Sequence, residues 1–328
     1  MQRIIGKMRE KAKELLQAGT VDAVLGWKKG DFSYDQTPAF FHSADELDML
    51  AYDGFCGSNL SKYLVEHGKD KGKTLVFLKP CDTYSLNQLI SERHIDRENV
   101  YVVGVGCDGM LDVQKLRDKG ITGIEGIEES GDDLIIHTLY GLKTCPREEA
   151  LLKKCQSCKG KEHKIFDECI GAVDSRDIPD NDRFAEVAEL EKMTPEERFA
   201  FWRAALSPCI RCNACREACP VCSCHTCIFD NARSGVGAKA NASEFEENLY
   251  HIIRAFHVAG RCSDCGECSR VCPQAIPLHL LNRKFIKDIQ SFYGAFQAGA
   301  SADQSSPLLN YSPDDIEPDA FDRRKGVM

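Results

Sequence analysis

Apolar residues in the first half of the chain gather in short blocks. Residues 74–78 (TLVFL) and 100–105 (VYVVGV) are continuous runs of strand length, and 21–27 (VDAVLGW) opens a third. The stretches between them carry helical spacing: 7–18 (KMREKAKELLQA), stopped by Gly19, then 58–67, 84–93, and a segment running to about Lys119 after a turn at Cys107, Asp108 and Gly109. Apolar strands alternating with helices predict a parallel sheet covered on both faces, with ligands bound beyond the carboxyl ends of its strands. Residues 79–82 and 106–109 lie at two such ends.

The pattern changes after 174–183 (DSRDIPDNDR), a polar stretch without periodicity that reads as a linker. Beyond it 184–192 and 195–206 are helical, the second opened by Thr194, Pro195, Glu196 and Glu197. In 243–258 (SEFEENLYHIIRAFHV) the apolar residues Phe245, Leu249, Ile252, Ile253 and Phe256 form a helical stripe, capped by Ser243 and closed by Gly260. Residues 278–292 make one more helix, and from about Gln297 the chain is rich in Ala, Ser, Gly, Pro and Asp. The expected architecture is therefore an α/β domain over 1–175, a mainly α-helical domain over 184–296, and a tail over 297–328 that orders only against a partner.

Composition narrows the functional classes. A net charge of −9 argues against nucleic acid or an anionic membrane as partner. No apolar run approaches the ~20 residues of a membrane span, so direct membrane insertion is not expected. Lys7, Arg9, Glu10 and Lys11 follow the first residues without the apolar core of a signal peptide, and a cytoplasmic location is expected.

The 18 cysteines change the picture most. Two groups read C-x2-C-x2-C-x3-C-P: Cys209, Cys212, Cys215, Cys219 and Cys262, Cys265, Cys268, Cys272. In such runs three thiolates wrap one 4Fe-4S cubane and the fourth reaches the other. Cys209, Cys212, Cys215 and Cys272 are assigned to one cluster; Cys262, Cys265, Cys268 and Cys219 to the other. Zinc sites draw on two pairs rather than two matched runs of four. Cys155 and Cys158, with Cys222, Cys224 and Cys227, offer four of five thiolates for a third cluster between the domains. Cys56, Cys81, Cys107, Cys145 and Cys169 read as buried apolar fillers, Cys81 the least so because of its place.

Two weaker signals concern a nucleotide. Gly104, Gly106 and Gly109 match G-x-G-x-x-G after a strand, which suits either a phosphate contact or a plain turn of small residues. Lys79, Cys81 and Asp82 set a cation and an acid at a strand end, a seat for a flavin or an ordinary polar turn in which Asp82 caps the next helix. His251 and His257, on or near the helical stripe, read as packing or surface residues.

With VVGVGCDGM, CQSCKGKEHKIFDECIG, PCIRCNACREACPVCSC, HIIRAFHVAGRCSDCGECSRVCP and IPLHLLNRK in place, the chain resembles the beta-subunit family of coenzyme F-420 hydrogenases and dehydrogenases, most nearly its formate dehydrogenase branch. The resemblance spans about residues 20–293. It implies electron transfer for a catalytic formate dehydrogenase or hydrogenase subunit, heterodisulfide reductase subunits as possible further partners, and commonly FAD. Flavin-binding members open with Gly-Gly-x-Val-Thr, whereas here the region reads YDGFCGSNL, leaving a flavin site and a flavin-free relay both open. The rival reading is a flavoprotein enzyme moving hydride between deazaflavin or NAD(P)H and the clusters. A subunit resembling sulfite reductase or sulfhydrogenase beta subunits is a third.

Overall fold

The computed structural model describes residues 2–67, 72–171, 182–231, 233 and 244–309. The cap at Ser243, linker residues 174–181 and the tail from 310 lie outside the described residues. Helix α1 (Gln2–Gln17) lays Met8, Ala12 and Leu15 on the core and stops where Gly19 turns left-handed, φ 65°. Strands β1 (Ala23–Lys29), β2 (Gln36–Phe41) and β3 (Leu50–Ala51) precede α2 (Ser61–His67), β4 (Thr74–Leu78), α3 (Pro80–Ser91), β5 (Val100–Val105) and α4 (Val113–Asp118). Then come β6 (Ile124–Ser130), β7 (Asp133–Thr138), β8 (Gly141–Pro146), short helices α5 (Arg147–Ala150) and α6 (Lys153–Gln156), and β9 (Glu168–Ile170).

The main sheet runs β2-β1-β4-β5-β9, with β3 beside β1. Strands β1, β4, β5 and β9 are parallel, with Leu75 opposite Val24 and Tyr101 opposite Leu75. All five residues of β4 are buried, which is why its sequence does not alternate. The sheet is nevertheless mixed, because β2 and β3 return antiparallel along β1. The antiparallel meander β6-β7-β8 went unforeseen; on its last two strands the buried side chains are Leu134, Ile136, Thr138 and Cys145, with Leu142 exposed.

In the second domain α7 (Ala185–Lys192) leads to α8 (Pro195–Leu206), whose capping box is formed as its sequence predicts: Glu197 N donates to Thr194 Oγ1 and Thr194 N to Glu197 Oε2. Short α9 (Ala214–Glu217) and α11 (Glu267–Arg270) follow the two cysteine loops, and the long α10 (Glu244–His257) and α12 (Leu278–Tyr293) pack across them. The stripe on α10 does not face the interior. Phe245, Leu249, Ile252 and Phe256 are exposed, and the buried face carries Glu247, Tyr250, His251 and Arg254 toward the cysteines. Residues 297–309, expected to lack structure of their own, pack on both domains: Asn87 Nδ2 donates to Gly299 O, Arg183 donates to Gln297 Oε1, and Ser306 and Leu308 lie against Gly260.

Candidate iron-sulfur centres

The two ferredoxin-type loops share one backbone. Arg211 and Asn213 in the first, and Asp264 and Gly266 in the second, all have φ between 52° and 68°. These left-handed residues curl the chain so that Arg211 N and Asp264 N each point back at a thiol, Cys209 Sγ and Cys262 Sγ, at 3.4 Å. Asn and Gly tolerate that conformation best, and Gly266 is required twice over because a Cβ there would lie 2.6 Å from Lys154 Cβ.

Cys209, Cys212, Cys215 and Cys272 line one small cavity of about 20 Å3. Cys219 is turned away from its own loop and lies beside Cys262, Cys265 and Cys268. Polar groups converge on the sulfurs: His251 Nε2 lies 3.2 Å from Cys209 Sγ, and Asn282 Nδ2 is 3.7 Å from Cys268 Sγ. Burial, with Arg254 and Arg211 adding, pushes the His251 imidazole down to about 3, so the ring is neutral and can donate to sulfur. Arg254 donates to Cys215 O and sits among Cys268, Cys219 and Cys215, between the two thiol sets.

The other expected cluster ligands are not brought together. Cys155 and Cys158 are apart from Cys222, Cys224 and Cys227, which line a different cavity. Cys155 and Cys158 instead meet Cys81, on the first turn of α3, and Cys107, just past β5. The four enclose a cavity of about 30 Å3 at the carboxyl ends of β4 and β5. Here too backbone amides point at sulfur: Gly109 N to Cys107, Met110 N to Cys155 and Gly160 N to Cys158, at 3.3–3.4 Å. The Cys81 thiol donates to Asp82 Oδ1 at 3.6 Å, and its closeness to Cys158 raises the pKa of Cys81 and lowers that of Cys158. Burial, with Cys81 and Cys155 adding, pushes Cys107 up to about 12. Cys81 and Cys107 were read as fillers. Their place at adjacent parallel strand ends was the available signal, and only the return of 155–160 over those ends completes it.

The same geometry leaves little room at the expected flavin seat. A cavity of about 30 Å3 is far below the roughly 300 Å3 or more of cofactor pockets. The His163 ring bridges Leu78 O and Val105 O at 3.2 Å and occupies the space over Gly104. Gly106 is spent internally, donating to Ile170 O and accepting from the Tyr52 hydroxyl. Lys79 is buried against Asp82 at 2.7 Å and under the Trp27 ring; burial alone would lower its pKa, but Asp82 holds it above the ordinary value. Gly160 passes so close that a Cβ would stand 2.6 Å from Cys81 N. Of the residues expected to seat a nucleotide, Lys79, Cys81 and Gly109 wall the thiol cradle, whereas Asp82, Gly104 and Gly106 are taken up by Lys79, His163 and the Tyr52 hydroxyl.

The two domains are clamped beside this cradle, whose wall includes Asp264 and Cys265 of the second ferredoxin loop. Ser85 Oγ meets Ser263 Oγ at 2.8 Å. Glu267 binds Lys154 at 2.5 Å and Arg270 at 2.7 Å, and accepts from Asn59 N.

An α/β domain clamped to a helical module with paired cysteine loops defines an iron-sulfur protein of the electron-transfer class, and residues 205–276 match the 4Fe-4S dicluster domain. The chain is homologous, over most of its length, to beta subunits of F420-dependent formate dehydrogenases. It is 25% identical to that subunit from Methanocaldococcus jannaschii, covering 84% of this chain and 87% of the relative. It is 26% identical to the F420-dependent formate dehydrogenase 1 subunit beta of Methanococcus maripaludis, covering 66% and 72%. A chain of the F420-reducing NiFe hydrogenase complex from Methanosarcina barkeri is similar at 15% identity and TM-score 0.38, over 48% of this chain and 62% of that one, too slight a likeness to carry an argument. Among the described residues no helix is long and apolar enough to cross a membrane.

Proposed function

We propose that the chain is the electron-transfer beta subunit of a multi-subunit formate dehydrogenase or hydrogenase, holding three 4Fe-4S cubanes in a row. The observation that carries this reading is the second-loop residue Cys265 in the wall of the Cys81, Cys107, Cys155 and Cys158 cradle. Cys209, Cys212, Cys215 and Cys272 would hold one cubane and Cys262, Cys265, Cys268 and Cys219 the next. Cys81, Cys107, Cys155 and Cys158 would hold the third. A cubane supplies reversible one-electron storage at a potential set by burial, charge and hydrogen bonds to sulfur. The chain's contribution is to supply those conditions: amide donors on five of the thiols, the Lys79 and Lys154 ammonium groups in the cradle wall, and a clamp that fixes the spacing between domains. Nothing in this arrangement asks for a general acid or base, and formate or hydrogen chemistry belongs to a catalytic partner subunit.

Iron and acid-labile sulfide analysis with electron paramagnetic resonance, done anaerobically, tests the reading. About twelve irons are expected per chain, falling to about eight in Cys107→Ser and staying near twelve in Cys224→Ser. About eight irons in the unaltered protein, or equal losses in the two variants, would refute the third cradle.

A further inference from the structure

Four cationic side chains are buried among the described residues: Lys79, Arg147, Arg254 and Arg283. Three of them meet a carboxylate. Asp82 is 2.7 Å from Lys79, Glu129 is 3.3 Å from Arg147, and Asp264 is 2.9 Å from Arg283. Arg254 makes no ion pair among the described residues, although it is only 4% exposed. Its Nη2 donates to Cys215 O at 3.0 Å, and its Nε has no hydrogen-bond partner among the described residues. A single backbone carbonyl does not neutralise a guanidinium, and a buried charge without an anion is costly.

What surrounds Arg254 is sulfur. It follows Glu247, Tyr250 and His251 along the buried face of α10, which sets it against Cys215 of α9 and Cys268 of α11. Burial pushes both thiols up, and in each the Arg254 charge is the largest influence in the other direction. The two belong to different ligand sets, Cys215 to the first-loop cluster and Cys268 to the second. A 4Fe-4S cubane on four thiolates is an anion, and reduction makes it more negative.

We propose that Arg254 is a counter-cation shared by the two ferredoxin-loop clusters, favouring the reduced form of each. This rests on the ligation proposed above. The other side chains that meet sulfur in these loops serve one set apiece: His251 lies against Cys209, and Asn282 against Cys268. Arg254 is the group through which a single substitution reaches both potentials.

Redox titration of the anaerobic holoprotein, followed by electron paramagnetic resonance and with iron counted, tests this. Arg254→Gln keeps a hydrogen-bond donor and removes the charge. Both midpoint potentials should move negative, each by about tenfold in its reduction equilibrium, or about 59 mV for a one-electron step. Arg254→Lys keeps the charge and should move both by much less, whereas His251→Phe should move one potential only. Loss of iron from Arg254→Gln but not from Arg254→Lys also supports a required charge. Unmoved potentials in Arg254→Gln, movement of only one, or the same outcome in the Gln and Lys variants would overturn the shared role. Fewer than about eight irons in the unaltered chain would instead refute the two-cluster ligation, and this inference with it.

Discussion

Replacing Glu267 tests the interdomain clamp most directly. The carboxylate is 2% exposed and joins four groups: Lys154 Nζ at 2.5 Å, Arg270 Nε and Nη2 at 2.8 and 2.7 Å, and Asn59 N at 3.3 Å. Lys154 is 8% exposed and also donates to Gly57 O, so Glu267→Gln leaves a buried ammonium with a backbone carbonyl and no anion. Breaking one side of a buried pair costs about 3–5 kcal/mol. Arg270 is 25% exposed and can rehydrate, which places the expected loss near the lower end, about 3 kcal/mol or roughly a hundredfold in the folded ratio. Lys154→Met removes the stranded charge and keeps Glu267 paired with Arg270. The double variant should therefore cost less than the sum of the singles, by about 1–3 kcal/mol of coupling. Anaerobic urea unfolding of the four proteins, each with its iron counted so that cluster loss is seen separately, measures this. A Glu267→Gln protein within about 0.5 kcal/mol of wild type, or strictly additive singles, would refute the clamp.

Other consequences follow from the same geometry. His251→Phe removes a donor to Cys209 Sγ, so the potential of the first-loop cluster should move negative in a redox titration followed by electron paramagnetic resonance, with iron content unchanged. His163 is half-buried between Leu78 O and Val105 O with Asp82 nearby, and that burial lowers its pKa below the ordinary 6.5. The unfolded chain therefore takes up a proton below pH 6.5 that the folded chain refuses, and stability falls as pH drops below that value until the folded group titrates. His163→Gln should unfold with a shallower pH dependence in that window. Thr194→Ala, which strips the capping box from α8, should cost about 1 kcal/mol in urea unfolding and leave iron content unchanged.

Much was legible in the chain because the interactions involved are local. Strands β4 and β5 are continuous apolar runs with their observed limits, and α8 starts where Thr194, Pro195 and Glu197 say it must. The ferredoxin loops are equally local: three thiols at fixed spacing, on a backbone curled by Asn213 and Gly266, need no distant residue to take shape. Spacing also predicts the exchange of fourth ligands, and Cys219 and Cys272 do lie with the opposite loops. What spacing could not decide is which of the remaining cysteines share a site. Cys81, Cys107, Cys155 and Cys158 span 78 residues, and their meeting depends on parallel strands placing two loop ends side by side and on Gly160 passing close enough to close the cradle. Periodicity likewise marked a stripe on α10 but not its direction; the buried face is polar because the Cys209 thiol, the Cys215 carbonyl and the Arg211 guanidinium there need His251, Arg254 and Glu247 as partners, and that demand arises only once the loops are folded against the helix.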